Sequence, residues 1–294
     1  MRLPILRSVL LLVVSAATAT AQRDTAFTWS KRLPDGARFS IKNLNGPVDV
    51  RAGSTDHVEV RATVRVEARG NASDVTFEVR ELAADDVEVC TVYKGLSACE
   101  PDNQWDDIRV SVRYVVDMPK GLRFRGVTGN GDLLLMQTVA EVDASTGNGD
   151  IVIRESASRA SATTGNGDVT VAAANGPVRV STGNGRITIN TAKGPVDAST
   201  GNGDIDARMM SAPQGRDLPS MSLTSGHGSI RLTLPASFNG EIDANTGHGS
   251  INTDFEMRVQ GRLDNSRLRG IIGTGEGPVI KIRSGNGRLE IRKD

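Results

Sequence analysis

The chain has 294 residues, of which 32 are glycine, while only ten are aromatic: six Phe, two Tyr and two Trp. Glycine exceeds its usual share of roughly 7% without a Gly-X-Y period, and the 38% hydrophobic fraction is too high for a disordered chain, so collagen and disorder are excluded. With 35 basic and 35 acidic residues there is no global field to attract nucleic acid or an anionic membrane.

Residues 1–21 read as a secretory signal, with Arg2 and Arg7 before the apolar run Val9 to Val14 and a small-residue site Ala19-Thr20-Ala21 before Gln22. That run is shorter than the roughly 20 residues a spanning helix needs. The mature chain is therefore expected to be secreted, periplasmic or at the cell surface, with no transmembrane segment after cleavage. Cys90 and Cys99 bracket a Lys94-Gly95 turn in CTVYKGLSAC, and in an oxidising compartment this reads as a local disulfide. A metal or redox reading lacks a CxxC and a nearby histidine.

Residues 22–126 are predicted to form an N-terminal β module. Period-two alternation is clear from Val58 to Ala68 and from Asp107 to Asp117. Leu44-Asn45-Gly46-Pro47-Val48 resembles a half-repeat of the C-terminal region, so the repeat pattern begins early and is interrupted by larger hairpins. Such a module would cap an open sheet edge.

Residues 127–294 are repetitive. The string TGNG begins at Thr128, Thr146, Thr164, Thr182 and Thr200, a spacing of 18 residues, and looser copies begin at Ser225, Thr246 and Ser284. Aligned copies share apolar columns on both sides of the turn, such as Val142 and Ala144 before it and Ile151 and Ile153 after it. Each copy thus carries two short strands with one buried face. Between copies a second turn centres on Asn175-Gly176, Lys193-Gly194 and Asn239-Gly240, where glycine is expected to supply positive φ. Copies should stack ~4.8 Å apart as an all-β β-solenoid, or β-helix, of 18-residue coils. An antiparallel meander is the alternative, because Asn-Gly also signals hairpins. Recurrence of Thr, Asn and Gly in the same columns favours the solenoid.

TGNGDI at Thr146 and Thr200, SGHGSI at Ser225, TGHGSI at Thr246 and SGNGRLEI at Ser284 resemble a family of secreted bacterial adhesin-type proteins. These have T-G-x-G-[DS]-I repeats and β-helical, GIN-like head domains. Val110 to Leu133 is similar to that family's lead-in, a strand, a Pro-Lys-Gly turn and the first full repeat. The resemblance covers roughly residues 40–294 and implies a surface protein, with no catalytic residue to carry over. Arg186 and Arg288 replace the usual Asp or Ser.

Two columns could carry chemistry. Asn130, Asn148, Asn166, Asn184, Asn202 and Asn286, with His227 and His248 in the same position, read as a structural ladder of turn side chains. The two histidines occupy consecutive copies, which would bring them near each other, but they are too few for a zinc site. Asp132, Asp150, Asp168, Arg186 and Asp204 read as a solvent-facing charge column in which Arg186 relieves carboxylate repulsion, in preference to calcium. No cofactor, metal or catalytic residue is expected, since no G-x-S-x-G, H-E-x-x-H or P-loop is present.

The expected function is a non-catalytic adhesin or surface-interaction module of the cell envelope. Its expected partners are envelope polymers, glycans or other surface proteins, and not nucleic acid. The Arg-rich stretch from Arg258 to Arg292 forms a basic end that reads first as a solvated face, with adhesion to anionic envelope polymers, weakened by salt, as the functional alternative. The alternatives are a structural scaffold without a specific ligand and a carbohydrate-active β-helix enzyme.

Overall fold

The computed structural model describes residues 25–53, 55–66, 70–82, 85–94, 110–136, 140–210, 220–260 and 264–294. The signal segment, Cys99 and the 211–219 insertion lie outside the described residues.

The first strands are β1 (Thr25–Lys31), β2 (Arg38–Asn45), β3 (Val48–Gly53), β4 (Val58–Val66), β5 (Val75–Glu81), β6 (Val87–Tyr93) and β7 (Val110–Pro119). The regular coils come next: β8 (Arg123–Asn130), β9 (Leu133–Leu135), β10 (Glu141–Asn148), β11 (Ile151–Ile153), β12 (Ala160–Asn166), β13 (Val169–Val171), β14 (Val178–Asn184), β15 (Ile187–Ala192), β16 (Val196–Asn202) and β17 (Ile205–Met209). The last are β18 (Met221–His227), β19 (Ile230–Leu234), β20 (Gly240–His248), β21 (Ile251–Thr253), β22 (Arg258–Val259), β23 (Arg267–Ile272), β24 (Val279–Asn286) and β25 (Leu289–Lys293).

These build a β-solenoid of two facing sheets. The longer strand of each coil lies in one sheet and the short strand after its Asn-Gly turn lies in the other. Pairing between coils is parallel and in register, so Thr146 lies opposite Thr164 and Asn148 opposite Asn166. Parallel register excludes the meander. Val142 and Ala144 face Ile151 and Ile153 across the interior, all at most 1% exposed. With alanine recurring at Ala144, Ala162 and Ala198, the core is thin and has little room for aromatics.

The coil pattern does begin early: Asn43 pairs with Thr128 and Asn45 with Asn130, so β2 and β3 stack beneath β8 and β9. Here β1 and β4 continue one sheet antiparallel through β7, while β6 and β5 extend the other. Phe27 stacks on Phe77 at 4.8 Å and Phe77 meets Tyr114 edge-on, which holds the two sheet ends together.

At the other end the coils do not follow chain order. β24 lies between β18 and β20, and β25 between β19 and β21. The expectation that His227 and His248 neighbour each other is therefore corrected: each pairs with Asn286, which separates them. The cause is local. Residues after β21 fold back so that β23 pairs antiparallel with the outer side of β20, which leaves only its inner side for the final coil.

A second correction concerns the turn glycines. Gly176, Gly194 and Gly240 do not adopt positive φ. They are glycine because a Cβ on Gly194 would lie 2.5 Å from the Gly176 carbonyl carbon, so it is close coil stacking that excludes a side chain.

Candidate functional site

The Thr-Gly-Asn-Gly turns stack along one edge of the solenoid. Each Thr or Ser is buried and donates its hydroxyl to the carbonyl of the second turn glycine in the adjacent coil. Examples are Thr146 to Gly131 at 2.9 Å, Thr164 to Gly149 at 3.0 Å and Ser225 to Gly203 at 2.8 Å. Sequence reasoning finds that Thr recurs but misses this role; the signal is that only hydroxyl residues, Thr or Ser, occupy the column in all eight copies.

Outside this buried row the Asn side chains form an amide ladder. Asn148, Asn166, Asn184 and Asn202 each donate Nδ2 to the preceding Asn Oδ1 at 2.7–2.8 Å. His227, Asn286 and His248 continue the position in register.

The Asp column is bonded differently. Asp132, Asp150, Asp168 and Asp204 each use Oδ1 to accept the backbone N–H of the residue in the next coil, at 2.7–2.9 Å. Ser229 Oγ does the same for Arg288 N at 3.2 Å. Arg186 Nη2 reaches Asp204 Oδ2 at 3.4 Å.

Beside the interrupted part of that column runs a groove of about 660 Å³. Its floor includes Arg186, Asp204, Ser229 and Arg288 from the turns, and Thr188, Asp206, Arg231 and Glu290 from the adjacent strands. The second four lie side by side in register on β15, β17, β19 and β25. Arg231 bonds Glu290 at 3.1 Å and reaches Asp206 at 3.6 Å. Arg288 and Arg292 reach Glu290 at 3.7 and 3.3 Å. The Arg231 hydrogen bond, helped by Arg292, holds the Glu290 carboxyl below the usual range. This groove comprises residues that alternate outward between apolar columns, a pattern that a turn-centred reading passes over.

The basic face expected from Arg258 to Arg292 is largely neutralised by internal pairs. Arg269 pairs with Glu241, Arg283 with Asp243 at 2.6 Å, and Arg292 with Asp254 at 3.2 Å. Cys90 is fully buried in β6, and its expected partner lies outside the described residues. Among the described residues no cluster of three or more His, Cys, Asp or Glu could hold a metal ion, and no helix is long and apolar enough to cross a membrane.

The profile of the family described as Toastrack DUF4097 matches residues 110–292. Among solved structures, the chain is similar to a candidate adhesin from Bacteroides fragilis NCTC 9343, with 11% identity and a TM-score of 0.44, over 91% of this chain and 96% of that one. A candidate lipid-binding protein from Parabacteroides distasonis ATCC 8503 has 10% identity and a TM-score of 0.45 over the same shares. A candidate cell-adhesion protein from Clostridium sporogenes ATCC 15579 has 11% identity and a TM-score of 0.30, over 91% of this chain and 99% of that one. No curated protein matches the sequence.

Proposed function

We propose that this chain, which belongs to the Toastrack DUF4097 family, is a non-catalytic module of the cell envelope that engages extended polymers along its solenoid surface. The observation that supports this reading is the in-register groove crossing β15, β17, β19 and β25, where charged and hydroxyl side chains repeat once per coil. An array with a step of ~4.8 Å matches a ligand that is itself extended and repetitive better than a compact metabolite. The signal segment and the disulfide expected between Cys90 and Cys99 agree with an extracytoplasmic site of action.

The test is co-sedimentation of the purified chain with an isolated envelope fraction, with reducing ends assayed in the supernatant. Retention without sugar release is the expected result. Release of reducing ends would point to a carbohydrate-active enzyme instead, and absence of retention to a scaffold.

A further inference from the structure

Where an Asp occupies the turn column, its Oδ1 accepts the N–H of the next coil. An arginine side chain has donors only. Accordingly, among the described residues, the N–H of Asp204, which follows Arg186 in the stack, finds no acceptor, nor does that of Ser250, which follows Arg288. Pro47 at the start of the column likewise offers nothing to Asp132, but Pro47 carries no charge. Two notches thus leave a backbone donor next to an arginine residue in the column position where other coils place a carboxylate oxygen. Arg186 and Arg288 are 62% and 61% exposed and make single long contacts, at 3.4 Å to Asp204 and 3.7 Å to Glu290. They stand three coils apart, roughly 14 Å at the parallel-strand spacing, and line the same groove as Arg231.

The geometry points to a two-notch site for an oxyanion-bearing polymer, each notch receiving one carboxylate or ester oxygen in place of the missing Asp Oδ1. This rests on the polymer-binding reading above and names the ligand class and the residues. Charge-assisted bonds from guanidinium and N–H together are the strong kind. Two notches favour a chain over a single ion, because the second contact forms at high effective concentration.

The experiment titrates the mature full chain at low salt with polygalacturonate, dextran sulfate and neutral dextran, and repeats this with the double variant Arg186→Asp, Arg288→Asp. The wild type is expected to bind one or both anionic polymers and not the neutral one. The double variant is expected to lose at least about tenfold in affinity. Its melting temperature should change little, because the new carboxylates accept the two N–H groups while adding repulsion beside Asp168, Asp204 and Glu290. If it fails to fold, Arg186→Gln with Arg288→Gln removes the same charges and supplies an amide acceptor without adding carboxylates. Undiminished binding by the folded variant overturns the site and leaves the functional reading intact. Equal binding of neutral dextran overturns the oxyanion chemistry, and binding of none of the three by wild type overturns both site and reading.

Discussion

The Asp132 carboxylate accepts the backbone N–H of Asp150 at 2.9 Å. Repeated at Asp168, Arg186 and Ser229, this bond ties consecutive turns together outside the sheet ladders. Stacked carboxylates repel by roughly 1 kcal/mol per neighbour in water. A hydrogen bond to a charged acceptor contributes about 1.5–3 kcal/mol, which exceeds that repulsion, so the column needs no bridging cation to offset it.

Calcium should consequently have little effect. Melting in millimolar calcium and in EGTA should agree within about a degree, and Asp150→Ala should cost at most about 1 kcal/mol, the lost hydrogen bond less the repulsion relieved at Asp132 and Asp168. A large calcium-dependent rise that EGTA abolishes would contradict a column held by hydrogen bonds alone.

Gly149 has φ 145°, and a Cβ there would lie 2.3 Å from the Gly131 carbonyl oxygen. Gly149→Ala should cost about 3 kcal/mol or more, combining backbone strain with coil separation. Gly36, with φ 81°, is the contrast, because a Cβ there would meet nothing within 4 Å. Gly36→Ala should cost only about 1–2 kcal/mol. Chemical denaturation of the two variants reads the difference.

Thr164→Val removes the hydroxyl and leaves the half-buried Gly149 carbonyl short of a donor, so a loss of about 1–2 kcal/mol is expected. Thr164→Ser should retain most of the stability, as Ser225 and Ser284 fill the same role. Equal stability of the Val variant and wild type in urea melts would show that the hydroxyl row does not hold the turns.

Much of this was legible in the sequence. The period of 18 residues and the inward columns specify coils, because only parallel stacking sets Thr128, Thr146 and Thr164 side by side. The order of the last coils was not legible. Every copy presents the same apolar faces, so SGNGRLEI can dock on any open edge, and the choice depends on β23 occupying the outer side of β20. Nor could the Asp column be read fully, since its partners are backbone N–H groups that leave no residue signature. The groove was hidden for a related reason: its residues Asp206, Arg231 and Glu290 come from copies separated by irregular insertions.

That coil order has a measurable consequence. β24, close to the C-terminus of the sequence, is paired on both sides, whereas β22 lies at the sheet end. Hydrogen exchange should therefore be slower at Ile280 and Ile282 than at Arg258 and Val259. Fast exchange across β24 would contradict its insertion between β18 and β20.

Alkaline pH should destabilise the N-terminal half. Burial pushes the Tyr114 phenol, hydrogen-bonded with Thr91 at 2.6 Å, and the Tyr93 phenol well above the ordinary value near 10. Below about pH 10 both phenols are neutral folded or unfolded, so stability is unaffected. Above it the unfolded chain releases protons that the folded chain retains, and stability falls as pH rises towards the folded values. Tyrosinate absorbance should appear together with loss of structure; ionisation of both phenols in a fully folded protein would refute the burial argument.

The most direct test of polymer engagement is a salt series. Retention of the mature chain on immobilised polygalacturonate or dextran sulfate should be strong at low ionic strength. It should fall steeply as salt approaches molar concentration, because exposed charge contacts are screened beyond roughly 3 Å there. Retention unchanged at high salt, or none at low salt on either polymer, would contradict it.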